Sequence, residues 1–387
     1  MSDHERGQPR LIIRDRGVIF DTTKAPPNCR SCAFTSSAVR EDGALLIGFR
    51  NATGRDAPDG RLRIVRSRDE GKTWETLHEG MTATVDGVEG NLYSGYFTEL
   101  ASGHLIGVFV WVDRSDPTLS FVNPATAGVL PMRNLVAESS DGGATWSPFR
   151  LVDLSPHRGA SCTGPILKLA KGVLALPYER WKEYDDTDPG THSANLRLSF
   201  DRGRTWPQMR TVAEEAAGQR FYWDQRFAIH PGTGLLAAMF WTHDRDAGRD
   251  LVNHIAWGTP DGTTWSAPTP TGLPGQHCQP IAIGGERIVA VYVHRQDPPS
   301  LRAVLSEDFG RTWQRDDELV FYDRRVGTES GFQTETRGFE DFWQDMMAWR
   351  FGHPRGVLLP GGDLFVAYYA GDEQATSMQW VRLGLYG

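Results

Sequence analysis

One short phrase returns five times along this chain: Ser67–Trp74 (SRDEGKTW), Ser139–Trp146 (SSDGGATW), Ser199–Trp206 (SFDRGRTW), Thr259–Trp265 (TPDGTTW) and Ser306–Trp313 (SEDFGRTW). Recurrence on this scale restricts the fold to stacked copies of one small unit. The phrase has the chemistry of a turn. Its aspartate can accept backbone N–H groups while a following glycine takes positive φ, so each box reads as the tip of a β-hairpin. The closing Trp starts the next strand with a large apolar face that wedges between packed units. Every Asp and Trp of the boxes is therefore read first as a structural staple.

The box aspartates Asp69, Asp141, Asp201, Asp261 and Asp308 stand 72, 60, 60 and 47 residues apart, room for four short strands per repeat. In the third repeat these are Gly164–Leu169, Val173–Pro177 after a turn at Ala170–Gly172, Asn195–Ser199, and a strand after Trp206. Paired apolar strands recur around Ala44, His104, Gly234, Arg287 and Asp363, giving six units. The last has three strands' worth of sequence and no box, and the orphaned run Leu11–Phe20 is expected to supply its fourth. The expected fold is all-β: a six-bladed β-propeller with the ring closed by the N-terminal strand, which leaves no open sheet edge. Residues 1–387 are expected to form one domain.

No apolar run approaches the ~20 residues of a membrane span, and the polar start MSDHERGQPR lacks an apolar export core. The expectation is a soluble, cytoplasmic chain with no membrane partner. Four cysteines make no disulfide framework. Cys32, Cys162 and Cys278 enter alternate repeats at similar places, and are expected to pack rather than to bind zinc. No cofactor or metal is called for. A net charge of −8 argues against nucleic acid and requires local arginines if the ligand is anionic.

In a four-strand repeat the box turns share one face with the turns between first and second strands. The opposite face carries the long loops, Asp113–Arg133, Arg180–Ala194, His243–Val252 and Phe321–Pro354, where function is expected. Arg30, Arg50, Asp56, Glu99, Asp113, Arg114, Tyr178, Glu179, Arg180, Asp224, Arg226, His243, Arg245, His277, His294, Arg295, Arg350, His353 and Tyr369 stand at these loop ends. Such a set suits an anionic or polyhydroxyl ligand, since arginine forks match carboxylates and paired carboxylates perform glycosidic acid/base work. The segment GFEDFWQDMMAWRF, 338–351, has near-helical aromatic spacing and reads as a packing insert or lid.

Five boxes of this kind resemble the sialidase (neuraminidase) superfamily of Asp-box propellers, over nearly the whole chain. The run EDGALLIGFRNATGRDAPDGRLRIVRSRDEGKTW, 41–74, resembles the stretch that carries the acid/base aspartate in bacterial sialidases, which implies that role for Asp56. FYWDQRFAI, 221–229, puts Asp224 where the family has the glutamate that activates a tyrosine nucleophile. His353 occupies the place of that tyrosine, with Tyr369 one strand later. The family's arginine triad is matched only loosely by Arg30, Arg245 and Arg295.

The resemblance implies an exo-acting glycosidase that removes a terminal, acidic sugar. Asp56, Asp224, His353 and Tyr369 are the catalytic candidates; Arg30, Arg50, Arg245, Arg295, Arg350, Glu179 and His277 are the substrate-binding ones. Two alternatives stay open: a lyase acting on uronate-containing glycans, and a glycan-binding propeller without catalysis.

Overall fold

The computed structural model describes residues 9–296, 298–323 and 349–386. Within them the chain is all-β apart from four single-turn 3₁₀ helices, and no described helix is long and apolar enough to cross a membrane. The strands fall into consecutive antiparallel meanders. The first runs Ser31–Val39, Leu45–Ala52, Arg61–Ser67 and Glu75–Val85, and the second Val88–Ala101, His104–Asp113, Met132–Ser139 and Arg150–Leu151. In the third, Gly159–Cys162 and Leu167–Lys168 pair with Leu174–Trp181, followed by Ser193–Ser199 and Gln208–Glu214. The first strand of this meander thus begins before Gly164 and is interrupted at Thr163–Ile166.

The fourth meander is Arg220–Ile229, Leu236–Asp244, Val252–Gly258 and Thr269–Pro274; the fifth is Gln276–Gly284, Arg287–His294, Ser300–Ser306 and Leu319–Asp323. The sixth holds Phe351–Leu358, Leu364–Gly371 and Thr376–Tyr386, and Arg10–Phe20 pairs antiparallel with that last strand from Arg10↔Tyr386 to Phe20↔Met378. The N-terminal run therefore supplies the fourth strand, as its orphaned apolar pattern requires. A parallel bridge, Ser31↔Thr376, links the sixth meander to the first.

Each repeated box lies between the third and fourth strands of its meander. In four of them one hydrogen-bond pattern recurs: Ser67 Oγ donates to Asp69 Oδ1 and accepts the Gly71 N–H, each at 2.8 Å, while Asp69 accepts the Thr73 N–H at 2.9 Å and its hydroxyl at 2.6 Å. Ser139–Thr145, Ser199–Thr205 and Ser306–Thr312 repeat it. The shortened box keeps Thr259 and Thr263 on Asp261. The carboxylate replaces the backbone partners that a tight turn leaves out, so the hairpin costs no unsatisfied donors.

The core is divided among neighbouring meanders. Phe97 and Phe109 pack with Leu62 between the first two, Val108 with Leu176 between the second and third, and Leu198 with Phe240 between the third and fourth. Met239 meets Tyr292, Val291 meets Val366, and Phe365 meets Ile47, so the sixth meander packs on the first. In each of these contacts one sheet covers the face of the next, which is how short β-meanders bury enough apolar surface to be stable.

Candidate active site

The first strands of the meanders meet one another, and five of them are broken at the same place. The ladder gains one extra residue between Ala33 and Ser36, Leu92 and Ser94, Trp223 and Arg226, Gln276 and Gln279, and Gly352 and Arg355. Four of these bulges hold a non-glycine residue in the left-handed region: Phe34 (φ 54°), Asp224 (53°), His277 (48°) and His353 (46°). Such residues are strained by about 1–3 kcal/mol each and persist where the surroundings fix them, commonly at functional sites. Together with Tyr93 in the second meander, all four side chains line a single cavity of about 200 Å³.

The walls of the cavity are largely aromatic, from Tyr96, Phe121, Trp181, Trp223 and Trp241. Its acidic, arginine and imidazole groups are Glu179, Arg180, His192, Arg55 and the bulge residues Asp224, His277 and His353, with the hydroxyls of Ser94, Ser161 and Thr163 beside them. Few polar groups on apolar walls are the usual make-up of a small-molecule site.

Asp224 is the electrostatic centre. Its Oδ1 accepts from Arg226 Nη2 at 2.7 Å, and its Oδ2 pairs with His277 Nδ1. Burial resists ionisation, but His277 and Arg226 outweigh it and hold the carboxyl well below the ordinary range. Glu179, on the second strand of the third meander, goes the other way: burial pushes its carboxyl up, against His192 and with the added push of Asp224. The two carboxylates are joined through the bulge itself, since the Gln225 N–H donates to Glu179 Oε1 at 3.0 Å. His192 Nε2 lies 3.5 Å from the other oxygen of Glu179.

The imidazoles of His277 and His353 face each other at 4.1 Å between centroids. Burial lowers the pKa of both; Asp224 opposes this for His277, while His277 and Arg55 add to it for His353. Among the described residues the Nε2 atoms of both rings, and Nδ1 of His277, are buried without a hydrogen-bond partner.

Asp56 sits on the turn 54–60 and accepts from the Tyr93 hydroxyl. It contacts the cavity through Tyr93 rather than by lining it. Arg55, its neighbour, does line the cavity, lies over Phe34 at 5.0 Å and donates from Nη1 to Tyr369 Oη at 2.6 Å. Arg50 is almost fully buried and directed at the same turn, donating to the carbonyls of Arg55, at 3.1 Å, and Ala57. It braces the loop, where the sequence reading gave it substrate.

Arg295 donates to Gln276 Oε1 and to the Phe351 carbonyl and stacks 3.9 Å over Trp349. Burial pushes it down to about 9. Tyr369, opposite Gly352 in the ladder, stands between Arg55 and Arg295, and a side chain at Gly352 would strike both Tyr369 Oη and Arg295 Nη2 at 2.9 Å. Arg30 and Arg245 are exposed and outside the cavity lining, and Arg350 is half-buried beside it in sequence only. The expected arginine triad is thus not assembled by Arg30, Arg245 and Arg295: one is buried against Gln276, the Phe351 carbonyl and Trp349, and two face solvent.

The cysteines do not gather. Cys32 packs with Leu45 and Phe365, Cys278 with Met239, and Cys162 lines the cavity, all as free thiols. Among the described residues no group of three or more His, Cys, Asp or Glu is arranged to hold a metal ion. The segment 338–348 and most of the expected Phe321–Pro354 connection lie outside the described residues.

Phe34, Arg55, Tyr93, Trp181, His192, Trp223 and Trp241 escaped the sequence reading. Aligning the first strands on their bulges, rather than scanning for charged loop ends, brings Phe34, Tyr93, Asp224, His277 and His353 into one column.

A BNR repeat-like domain is matched over residues 104–325. No curated protein matches the chain. Among solved structures, a protein of unknown function from Dyadobacter fermentans superposes with a TM-score of 0.71 at 19% identity, covering 97% of this chain and 99% of that one. The intramolecular trans-sialidase from Ruminococcus gnavus, in complex with oseltamivir carboxylate, gives 0.58 at 11% identity over 96% and 97% of the two chains. Trypanosoma rangeli sialidase in complex with the inhibitor DANA gives 0.59 at 12% identity, over 92% of this chain and 55% of that one.

Proposed function

Because this chain belongs to the family of BNR repeat-like domain proteins and shares its fold with sialidases, we propose that it is a six-bladed propeller whose axial cavity binds a terminal sugar and cleaves its glycosidic bond. The ring reading is supported by the cyclic order of packing, first meander on second through to sixth on first, and by the Ser31↔Thr376 bridge. The observation that carries the catalytic reading is the divergence of Glu179 and Asp224 within one cavity. A carboxyl whose pKa is raised beside a carboxylate whose pKa is lowered is the arrangement that glycoside cleavage uses. Glu179 protonates the leaving oxygen, and the charge of Asp224 supports the oxocarbenium-like centre. Asp56 acts through Tyr93, and aromatic walls stack on the sugar ring. Arg55 and Arg180 favour a sugar that carries negative charge.

The test is turnover of a panel of α-sialosides and α- and β-uronides by the wild type, Asp224→Asn and Glu179→Gln. Release that both substitutions reduce by about 10²–10⁴ supports the reading. Binding without turnover of any glycoside removes it in favour of a carbohydrate-binding module. A lyase is the second reading, favoured by two buried imidazoles close to Arg55, and an unsaturated product absorbing in the ultraviolet identifies it.

A further inference from the structure

We infer that His277, oriented by Asp224, is the base of this cavity, and that bond cleavage proceeds by direct attack of water, without a covalent sugar–enzyme intermediate. The inference rests on the hydrolytic reading above and names the group that activates the nucleophile. Three observations carry it. Asp224 Oδ2 stands against Nδ1 of His277, and a carboxylate there favours the proton on that nitrogen and leaves Nε2 as the acceptor. Among the described residues neither ring nitrogen of His277 has a hydrogen-bond partner, and Nε2 is buried in a residue that is 4% exposed and lines the cavity. A buried unpartnered acceptor of this kind is paid for only where a ligand or water completes it. Finally, the bulge that aims His277 places a second imidazole, not a phenol, at the equivalent position of the sixth meander, where His353 stands.

The step balances within these groups. His277 Nε2 takes one proton of a water molecule as the water oxygen bonds to the anomeric carbon. The glycosidic C–O bond breaks and Glu179 gives its proton to the leaving oxygen; the imidazolium then returns a proton through solvent and Glu179 is reprotonated. Direct displacement inverts the anomeric configuration. The groups facing His277 are Asp224 and Arg226 from the fourth meander, Arg295 from its own, and His353 from the sixth. Asp224 is a positioning residue in this scheme.

The experiment is nitrogen-15 NMR of the histidine side chains in the full chain, with His277 assigned by its loss in His277→Gln. The expected result is a neutral imidazole at pH 7 with the proton on Nδ1, and loss of that fixed tautomer in Asp224→Asn. A proton on Nε2, or an imidazolium at pH 7, overturns the inference whatever the protein cleaves. On any glycoside that is turned over, His277→Gln should lower kcat about 10²–10⁴-fold with little change in KM, and the product should be inverted. Retention of configuration overturns the inference and leaves the hydrolytic reading standing. The fixed Nδ1 tautomer with no glycoside cleaved removes the hydrolytic reading instead and keeps the dyad.

Discussion

Arg355 Nη2 donates to the carbonyl of Thr163 at 2.9 Å, a bond that spans from the sixth meander to the third. The same stretch reaches three more: the Ser37 hydroxyl donates to the Arg355 carbonyl at 3.0 Å, the guanidinium lies 5.2 Å from the centre of the Tyr96 ring, and Gly356 exchanges two 2.9 Å bonds with the Gln279 amide. One extended segment thus ties first strands from five meanders below the cavity. Replacing the guanidinium strands a buried carbonyl, so Arg355→Leu should cost about 1–3 kcal/mol in urea unfolding. Arg355→Lys should not restore it, because an ammonium lacks the planar fork. A variant as stable as the wild type would mean that the cross-link contributes nothing.

The boxes make a prediction about acid. Hydrogen bonds from Thr73, Thr145, Thr205 and Thr259 with Thr263 hold Asp69, Asp141, Asp201 and Asp261 at about 2, below the ordinary 3.8. A depressed carboxylate contributes stability that is present above its unfolded value and lost as pH falls through its folded one. The melting temperature should therefore hold down to about pH 4 and fall between about 4 and 2. Asp141→Asn should show a smaller fall across that window, measured by circular dichroism. An unchanged pH profile would show that the box carboxylates titrate alike in both states.

The repeat, the hairpin tips and the completing N-terminal strand were all legible in the sequence, because each is a local signal: turn chemistry, period-two apolar runs and one unpaired segment. The cavity was legible only in part. Asp224, His277 and His353 were found as polar residues at strand starts, yet what aims them is a one-residue bulge, which depends on the register of the neighbouring strand. Arginine roles were misread for the same kind of reason. Arg50, on the strand Leu45–Ala52, and Arg55, on the turn that follows it, are five residues apart, and only the packing decides that one braces the loop while the other lines the cavity.

Gly60 tests that loop. A Cβ at this position would lie 1.0 Å from Arg50 Nη1, so any side chain evicts the guanidinium that holds the Arg55 and Ala57 carbonyls. Gly60→Ala should destabilise the protein by about 1–3 kcal/mol, as overpacking does. Arg50→Met, which keeps the stem and removes the fork, should loosen the same loop. Hydrogen exchange of the amides of Ala57 and Gly60 measures this, and unchanged protection in both variants would refute the bracing role.

The pH dependence of turnover follows from the same two shifts that define the site. Glu179 must be protonated to act as acid, and burial has raised its pKa above the ordinary 4.5, so activity is lost as pH rises through that raised value. His277 must be neutral to act as base, and burial has lowered it below 6.5, so activity is lost as pH falls through that lowered value. Asp224 stays ionised throughout, being held well below 3.8. The profile of kcat/KM should thus be a bell, its acid limb set by His277 and its alkaline limb by Glu179. Glu179→Gln should remove its alkaline limb and lower kcat by about 10²–10⁴ on glycosides with poor leaving groups. Aryl glycosides with acidic phenols need no proton on the departing oxygen, so on them the loss should nearly vanish. If Glu179→Gln is equally slow with both kinds of leaving group, Glu179 is not the acid, and Asp56 with Tyr93 takes that role.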